Sequence, residues 1–255
     1  MKISTTILLK KKKAREKITM LTAYSCPLAN ILDEAGVDIV LVGDSVGNVA
    51  LGYKNTIPVT MLEIMVHTQA VARGVKSAMV VADMPFGSYQ VDKNEAVGNA
   101  IELAKAGAEA VKVEGAGYID AIKAIIKAGI PVMGHLGFTP QSVYELGGYK
   151  IQGRGAIHRA RIIKDARALE KAGCFAIVLE MVPPELAKKI SKALKIPVIG
   201  IGAGKDCDGQ VLVTHDMLGF YENPPSFVKV FTNMRSQIKK AVSSFIEYTQ
   251  DHPQK

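Results

Sequence analysis

The chain has 255 residues, 48% of them apolar, no tryptophan and a formal net charge of +8. That length suits one large α/β barrel or two ordinary domains, built on an aliphatic core. The basic balance reads either as a lysine-rich surface bias or as attraction for small anionic substrates. Without clustered basic residues, stacking aromatics or a recognised motif, it gives no nucleic-acid partner.

In chain order, the start from Met1 to Lys17 holds the run Lys10-Lys11-Lys12-Lys13, which reads as the solvated face of a leading turn or helix. No secretory pattern and no apolar run long enough for a bilayer is present, so the expectation is a cytoplasmic protein with no membrane partner. A weak repeat follows. Ala35-Gly36, Ala106-Gly107, Ala128-Gly129 and Ala172-Gly173 each close a helical stretch and lead at once into a strand-like run. Glycine just past a helix end supplies the left-handed residue that stops it. Helix starts are also marked: Thr60-Met61-Leu62-Glu63 has capping-box spacing, opening a helix over 60–73, and Asp92-Lys93-Asn94-Glu95 offers Asp as a cap.

Between the helices the sequence predicts eight strands, at about 17–22, 38–43, 77–82, 109–114, 130–134, 175–180, 196–201 and 210–214. Eight βα units in this length fit a (β/α)8 TIM barrel. A doubly wound sheet more often carries a Gly-rich turn after its first strand, where this chain has Tyr24-Ser25-Cys26-Pro27. The fold class read here is therefore α/β, one (β/α)8 barrel domain over 1–255. It has a short N-terminal lead-in and, after the loop Asn223-Pro224-Pro225, a polar C-terminal helix reaching about Thr249. The cysteines Cys26, Cys174 and Cys207 are odd in number and lack metal-ligand spacing, so they read as buried thiols.

Five of the apolar runs end in residues that can do chemistry: Asp44, Asp83, the pair Lys112 and Glu114, His135 and Glu180. In a closed parallel barrel the carboxyl ends of all strands meet at one mouth. Lys112 and Glu114 are two apart on one strand and share a face, with Val111 and Val113 on the other. An inward Lys and Glu can form a purely structural ion pair. Together with Asp44, Asp83 and Glu180, however, they leave surplus negative charge, and like charges repel. A divalent cation resolves the surplus, and carboxylate oxygens suit Mg²⁺ or Mn²⁺. Zinc-type His/Cys spacing is absent. His135 reads either as a supporting, loop-capping histidine or as a donor or proton shuttle to a substrate. The long Gly-rich stretch 137–154 is placed to cover a ligand at the mouth. The glycines of Ile199-Gly200-Ile201-Gly202-Ala203-Gly204 fit a phosphate-binding turn or simply a tight βα turn.

Several segments together resemble the ketopantoate hydroxymethyltransferase (3-methyl-2-oxobutanoate hydroxymethyltransferase) family. They are LVGDSVGN with LGYKNTIPVT, ADMPFGSY, VKVEG, GIPVMGHLGFTPQSVYELGGYKIQGR, LEMVPPELAKKI and IPVIGIGAGKDCDGQVLVTHD, in family order from about residue 18 to 220. The resemblance implies a Mg²⁺-dependent barrel enzyme of pantothenate and coenzyme A biosynthesis. Such an enzyme transfers a one-carbon unit from 5,10-methylenetetrahydrofolate to 2-oxoisovalerate (3-methyl-2-oxobutanoate) to make ketopantoate. By motif it implies that Asp44, Asp83 and Glu114 serve the metal. Asp44, Ser45, Asp83, Lys112 and His135 would meet the keto acid, and Glu180 would accept the proton. It also implies a homo-oligomer, often a decamer in the family. Family members often end in a short acidic or His-containing tail, whereas this chain ends His252-Pro253-Gln254-Lys255. The metal carboxylates alone also suit a Mg²⁺-dependent keto-acid lyase or mutase of the isocitrate lyase and phosphoenolpyruvate mutase type. The absent lyase-type cysteine motif and the GHLGFTPQSV stretch argue against it. A non-catalytic anion-binding barrel would need no base at Glu180.

Overall fold

The computed structural model describes residues 2–251; the tail from His252 to Lys255 lies outside the described residues. The elements run α1 (Thr5–Ala14), β1 (Ile18–Thr22), α2 (Cys26–Glu34), β2 (Ile39–Val42), α3 (Val46–Val49), α4 (Met61–Gly74), β3 (Met79–Asp83), α5 (Lys93–Lys105) and β4 (Ala110–Glu114). They continue α6 (Ile119–Lys127), β5 (Val132–Gly137), a 3₁₀ turn at Pro140–Ser142, α7 (Ala156–Ala172), β6 (Ala176–Glu180), α8 (Pro184–Ala193), β7 (Val198–Ile201), β8 (Gly209–Leu212), α9 (Thr214–Met217) and α10 (Met234–Asp251). The strands close into a barrel in the order β1-β2-β3-β4-β5-β6-β7-β8, with parallel pairing. This is the (β/α)8 architecture read from the sequence, and the strands lie within two residues of their expected bounds except that β5 runs on to Gly137, three residues past its expected end.

Strand alternation sorts the core into two layers. Ile18, Met20, Ile39, Leu41, Met79, Val81, Ala110, Met133, Ala176, Val178, Ile199 and Val211 form one buried cluster. Val40, Val42, Val80, Ala82, Val111, Val113, Val132, Ile177, Leu179 and Val198 belong to the other, with the helices. Residues i and i+2 of a strand share a face, so the first set lines the barrel interior and the second meets the helices.

The local signals act as expected. Thr60 Oγ1 accepts the Glu63 N–H at 3.2 Å, while Glu63 Oε2 accepts the Thr60 N–H at 2.7 Å, completing a capping box at the start of α4. Asp92 caps α5 through the Asn94 and Glu95 N–H groups. The repeat glycines Gly36, Gly107, Gly129 and Gly173 all take positive φ. At Gly107 the need is double, because a Cβ would also stand 2.5 Å from the Ala72 Cβ. The turn glycine Gly204 packs against Pro184, where a Cβ would lie 2.6 Å from the proline ring. Close packing therefore accounts for it without a phosphate.

Two expectations change. The lysine run is not simply solvated. Lys11 pairs with Asp38, and Lys12 Nζ reaches Asp208 Oδ2 at 2.5 Å and the Ser191 carbonyl at 2.9 Å. These contacts hold α1 so that Leu8 is fully buried against the interior residues of the barrel. The sequence reading missed this because four lysines in a row hide the single apolar position that faces inward. Cys174 and Cys207 are buried, but Cys26 is only half-buried, at the start of α2.

The chain packs as two compact units, one up to Val211 and one from Leu212 onward. Within the second, α10 has no buried residue and leaves Ile238, Val242, Phe245 and Ile246 exposed, so it is less uniformly polar than the sequence suggested. Among the described residues no helix is long and apolar enough to cross a membrane.

Candidate active site

The inward rows of the barrel become polar at their carboxyl ends. Asp83 continues the row of Met79 and Val81; Lys112 and Glu114 continue from Ala110; His135 follows Met133; Glu180 follows Ala176 and Val178. Parallel register then sets neighbours side by side, pairing Asp83 with Lys112 and Glu114 with His135. Asp44 and Ser45 sit in the turn after β2. The Asp44 N–H donates to Asp83 Oδ2 at 2.9 Å, so this turn joins the cluster. All six residues that the sequence singled out for chemistry meet at one mouth. Asp44, Asp83, Lys112, Glu114 and His135 are each under 5% exposed.

The contacts form a chain of charge. Lys112 Nζ lies 2.8 Å from Asp83 Oδ1 and 3.6 Å from Glu114 Oε1. His135 Nδ1 is 3.1 Å from Glu114 Oε1, and His135 Nε2 is 3.3 Å from Glu180 Oε2. Asp83 Oδ1 and His135 Nε2 are within ion-pair distance of Lys112 and Glu180, yet neither is aligned for a hydrogen bond. On the Asp44 side, Tyr24 Oη and Ser45 Oγ are 2.7 Å apart.

Burial and the charges of Asp83 and Glu114 push the Asp44 carboxyl well above its usual range. Asp83 is also raised by burial, which outweighs the attraction of Lys112. Glu114 goes the other way. Burial would raise it, but His135, Lys112 and the Gln141 N–H together lower it. Burial opposes the Lys112 charge, and Asp83, Glu114 and Asp44 more than restore it, so Lys112 stays cationic. For His135, burial and Lys112 oppose protonation; Glu114 and Glu180 overcome both and lift it to about 9. At neutral pH the mouth thus sets four carboxyl groups against two cations.

That surplus is where a divalent cation fits. Among the described residues, no three His, Cys, Asp or Glu side chains already close around one point as metal ligands. Mg²⁺ needs no such cage, since one or two carboxylates with water and substrate oxygens complete its octahedron. Asp44 and Asp83 offer hard oxygens, and burial together with the neighbouring acids raises both carboxyls, Asp44 the more. Glu114, like Asp83, has a neighbour on each oxygen. Its Oε1 faces His135 and its Oε2 accepts the Gln141 N–H at 3.0 Å.

The loop after β5 contributes more than a cover. Its base is buried, with Phe138 fully enclosed and Gln141 bonded to Asp44 and Glu114. Its tip, with Tyr144 and Tyr149, is exposed. Tyr149 stacks on Phe138 at 4.9 Å between ring centroids, and the Asn55 amide donates to Tyr144 Oη at 3.1 Å. Gln141 and Tyr24 were not picked out from the sequence. Neither lies on a strand, so the alternation that revealed the other residues is silent about them. The cysteines take no part in this cluster. Burial pushes the Cys207 thiol up to about 11 and the Cys174 thiol up to about 12.

Comparisons with known proteins agree with this fold. A phosphonopyruvate hydrolase solved with oxalate and Mg²⁺ superposes with a TM-score of 0.66 at 14% identity, covering 98% of this chain and 88% of that one. A 2,3-dimethylmalate lyase of the phosphoenolpyruvate mutase and isocitrate lyase superfamily gives 0.62 at 14% identity, covering 99% and 86%. At such identities the likeness is one of fold. Sequence comparison goes further. The 3-methyl-2-oxobutanoate hydroxymethyltransferase of Syntrophus aciditrophicus (strain SB) is 54% identical over 249 residues, 96% of this chain and 92% of that protein. That of Ignicoccus hospitalis is 52% identical over 247 residues, 96% and 94% of the two chains. The profile of the family described as ketopantoate hydroxymethyltransferase matches residues 2–254, and with these relatives it shows that the chain belongs to that family.

Proposed function

We propose that this chain transfers a hydroxymethyl group to 3-methyl-2-oxobutanoate, taking the carbon from 5,10-methylenetetrahydrofolate and forming ketopantoate. The observation that carries the reading is the position of Glu180, a carboxylate at the mouth held next to a charged histidine and facing the acid and lysine cluster. A 2-keto acid brings a carboxylate and a ketone, which suit Lys112 and the acid pair Asp44 and Asp83. Bound at that pair, Mg²⁺ would supply Lewis acidity toward the ketone oxygen as negative charge develops there. Ser45 Oγ, beside Tyr24, offers a further hydrogen bond to the keto acid.

Glu180 takes the proton from C3. His135 is a poorer candidate for that task, because Glu114 and Glu180 on either side favour its protonated form. Its charge instead steadies Glu114 and Glu180 on either side. Lys112, kept cationic by its acids, stands where the enolate oxygen develops and favours it over the neutral ketone. The methylene carbon of the folate is held by two carbon–nitrogen bonds: one breaks as C3 bonds to that carbon and the other as water adds its hydroxyl. The two nitrogens leave as N–H groups of tetrahydrofolate, taking the proton that Glu180 removed from C3 and one from the water.

The first half of this chemistry can be read alone. With Mg²⁺ and no folate, the protein should exchange the C3 proton of 3-methyl-2-oxobutanoate for deuterium from D₂O, followed by proton NMR. Exchange no faster than in buffer with Mg²⁺ would count against the reading.

A further inference from the structure

We propose that Gln141 is a positioning residue that holds Asp44 and Glu114 in register for cation binding, an inference that rests on the reading above. Gln141 lies in the 3₁₀ turn after β5, is 5% exposed, and joins groups from the loops after β2 and β3 and from the end of β4. Its Nε2 donates to Asp44 Oδ2 at 3.0 Å and to the Met84 carbonyl at 2.9 Å. Its Oε1 accepts from Tyr89 Oη at 2.7 Å and from Gln90 Nε2 at 3.2 Å. Its backbone N–H donates to Glu114 Oε2 at 3.0 Å. Both amide hydrogens and both oxygen lone pairs are therefore used. A flipped amide would set its oxygen against the Asp44 carboxylate and the Met84 carbonyl, so the orientation is fixed by its surroundings.

The choice of an amide has a chemical reason. Asp44 needs a donor that fixes one oxygen and leaves the other to a cation. Lysine would fix it too, but its charge would compete with the cation. Glutamate would add a further negative charge beside Asp44. The amide directs Asp44 Oδ2 without neutralising it, and Oδ1 remains for the ion. Supporting groups of this kind orient ligating carboxylates in metal sites generally.

The test uses full-length protein and Mn²⁺ as the probe, its free fraction read by electron paramagnetic resonance without substrate. Gln141→Met keeps the volume and the backbone N–H and removes the amide. In folded protein the Kd for Mn²⁺ should weaken about tenfold or more. Turnover at low Mn²⁺ should fall, and most of it should return as Mn²⁺ is raised, which a general loss of packing would not produce. Tyr89→Phe frees one side of the Gln141 oxygen and also removes the hydroxyl's contact with the Glu114 N–H at 3.3 Å, and should weaken Mn²⁺ in the same direction by less. A wild-type Kd in folded Gln141→Met overturns the proposal. If that variant does not fold, an unchanged Kd in Tyr89→Phe does the same. Asp44→Asn separates the two levels. Loss of Mn²⁺ there with no loss in Gln141→Met sinks only the role of Gln141. Wild-type protein that binds no Mn²⁺, or Asp44→Asn that binds it normally, sinks the underlying cation reading as well.

Discussion

His135 Nε2 stands 3.3 Å from Glu180 Oε2, while the other nitrogen of the same ring stands 3.1 Å from Glu114 Oε1. One imidazole on β5 thus bridges two carboxylates on the strands that flank it, β4 and β6. The bridge divides the labour, leaving Glu180 as the carboxylate open to a substrate proton. Glu180→Gln should therefore keep Mg²⁺ and keto-acid binding. It should lose C3 deuterium exchange by about a hundredfold or more, the usual scale for removing a positioned base. Exchange at the wild-type rate would move the base elsewhere.

Asp83 touches both sides of the cluster, receiving the Asp44 N–H on one oxygen and facing Lys112 with the other. Asp83→Asn should weaken Mg²⁺ binding by more than about tenfold, since disturbing even a supporting group costs that much. Activity should fall with it. A metal titration unchanged by the substitution would defeat the assignment of Asp83 to the cation.

Lys112→Met keeps much of the apolar stem and removes the charge beside Asp83. Turnover should fall by about a hundredfold, with a rise in the apparent keto-acid KM. A purely structural Lys112 predicts something else: lower thermal stability or metal affinity, and near-normal activity per folded, metal-loaded enzyme.

Much of this was legible in the sequence because it depends on alternation. Once Val111 and Val113 face the helices, Lys112 and Glu114 must face the axis, and the same parity carries Asp83, His135 and Glu180 inward. Helix ends were legible because Thr60 with Glu63, and glycines such as Gly107, act locally. What was hidden depends on distant partners. Gln141 meets Asp44 only because the barrel closes, and nothing in its own stretch marks the contact. Lys12 finds Asp208 and Ser191 for the same reason.

Away from the mouth, Asp33 ties the end of α2 to the segment entering β3. Its carboxylate accepts the N–H groups of Lys76 at 2.9 Å, Ser77 at 2.9 Å and Ala78 at 2.6 Å. Burial alone would raise this acid, yet the three donors lower it. Its folded pKa then lies below the unfolded value of about 3.9. The stability it contributes is fully present above that value and is lost as pH falls through the folded pKa. Asp33→Asn should cost about 1.5–3 kcal/mol at neutral pH, the scale of hydrogen bonds to a charged group. Thermal denaturation against pH should show the wild-type and variant Tm converging in acid. A constant gap down to the lowest pH would show that the charge is not what matters.

The central claim is hydroxymethyl transfer to a keto acid. Its most direct measurement incubates the purified protein with Mg²⁺, 3-methyl-2-oxobutanoate and 5,10-methylenetetrahydrofolate, and follows ketopantoate by mass spectrometry, with formaldehyde alone as the control donor. The account predicts ketopantoate and tetrahydrofolate in equal amounts, formed well above the control and abolished in Glu180→Gln. No product beyond the formaldehyde control, from folded protein shown to bind Mg²⁺, would contradict it.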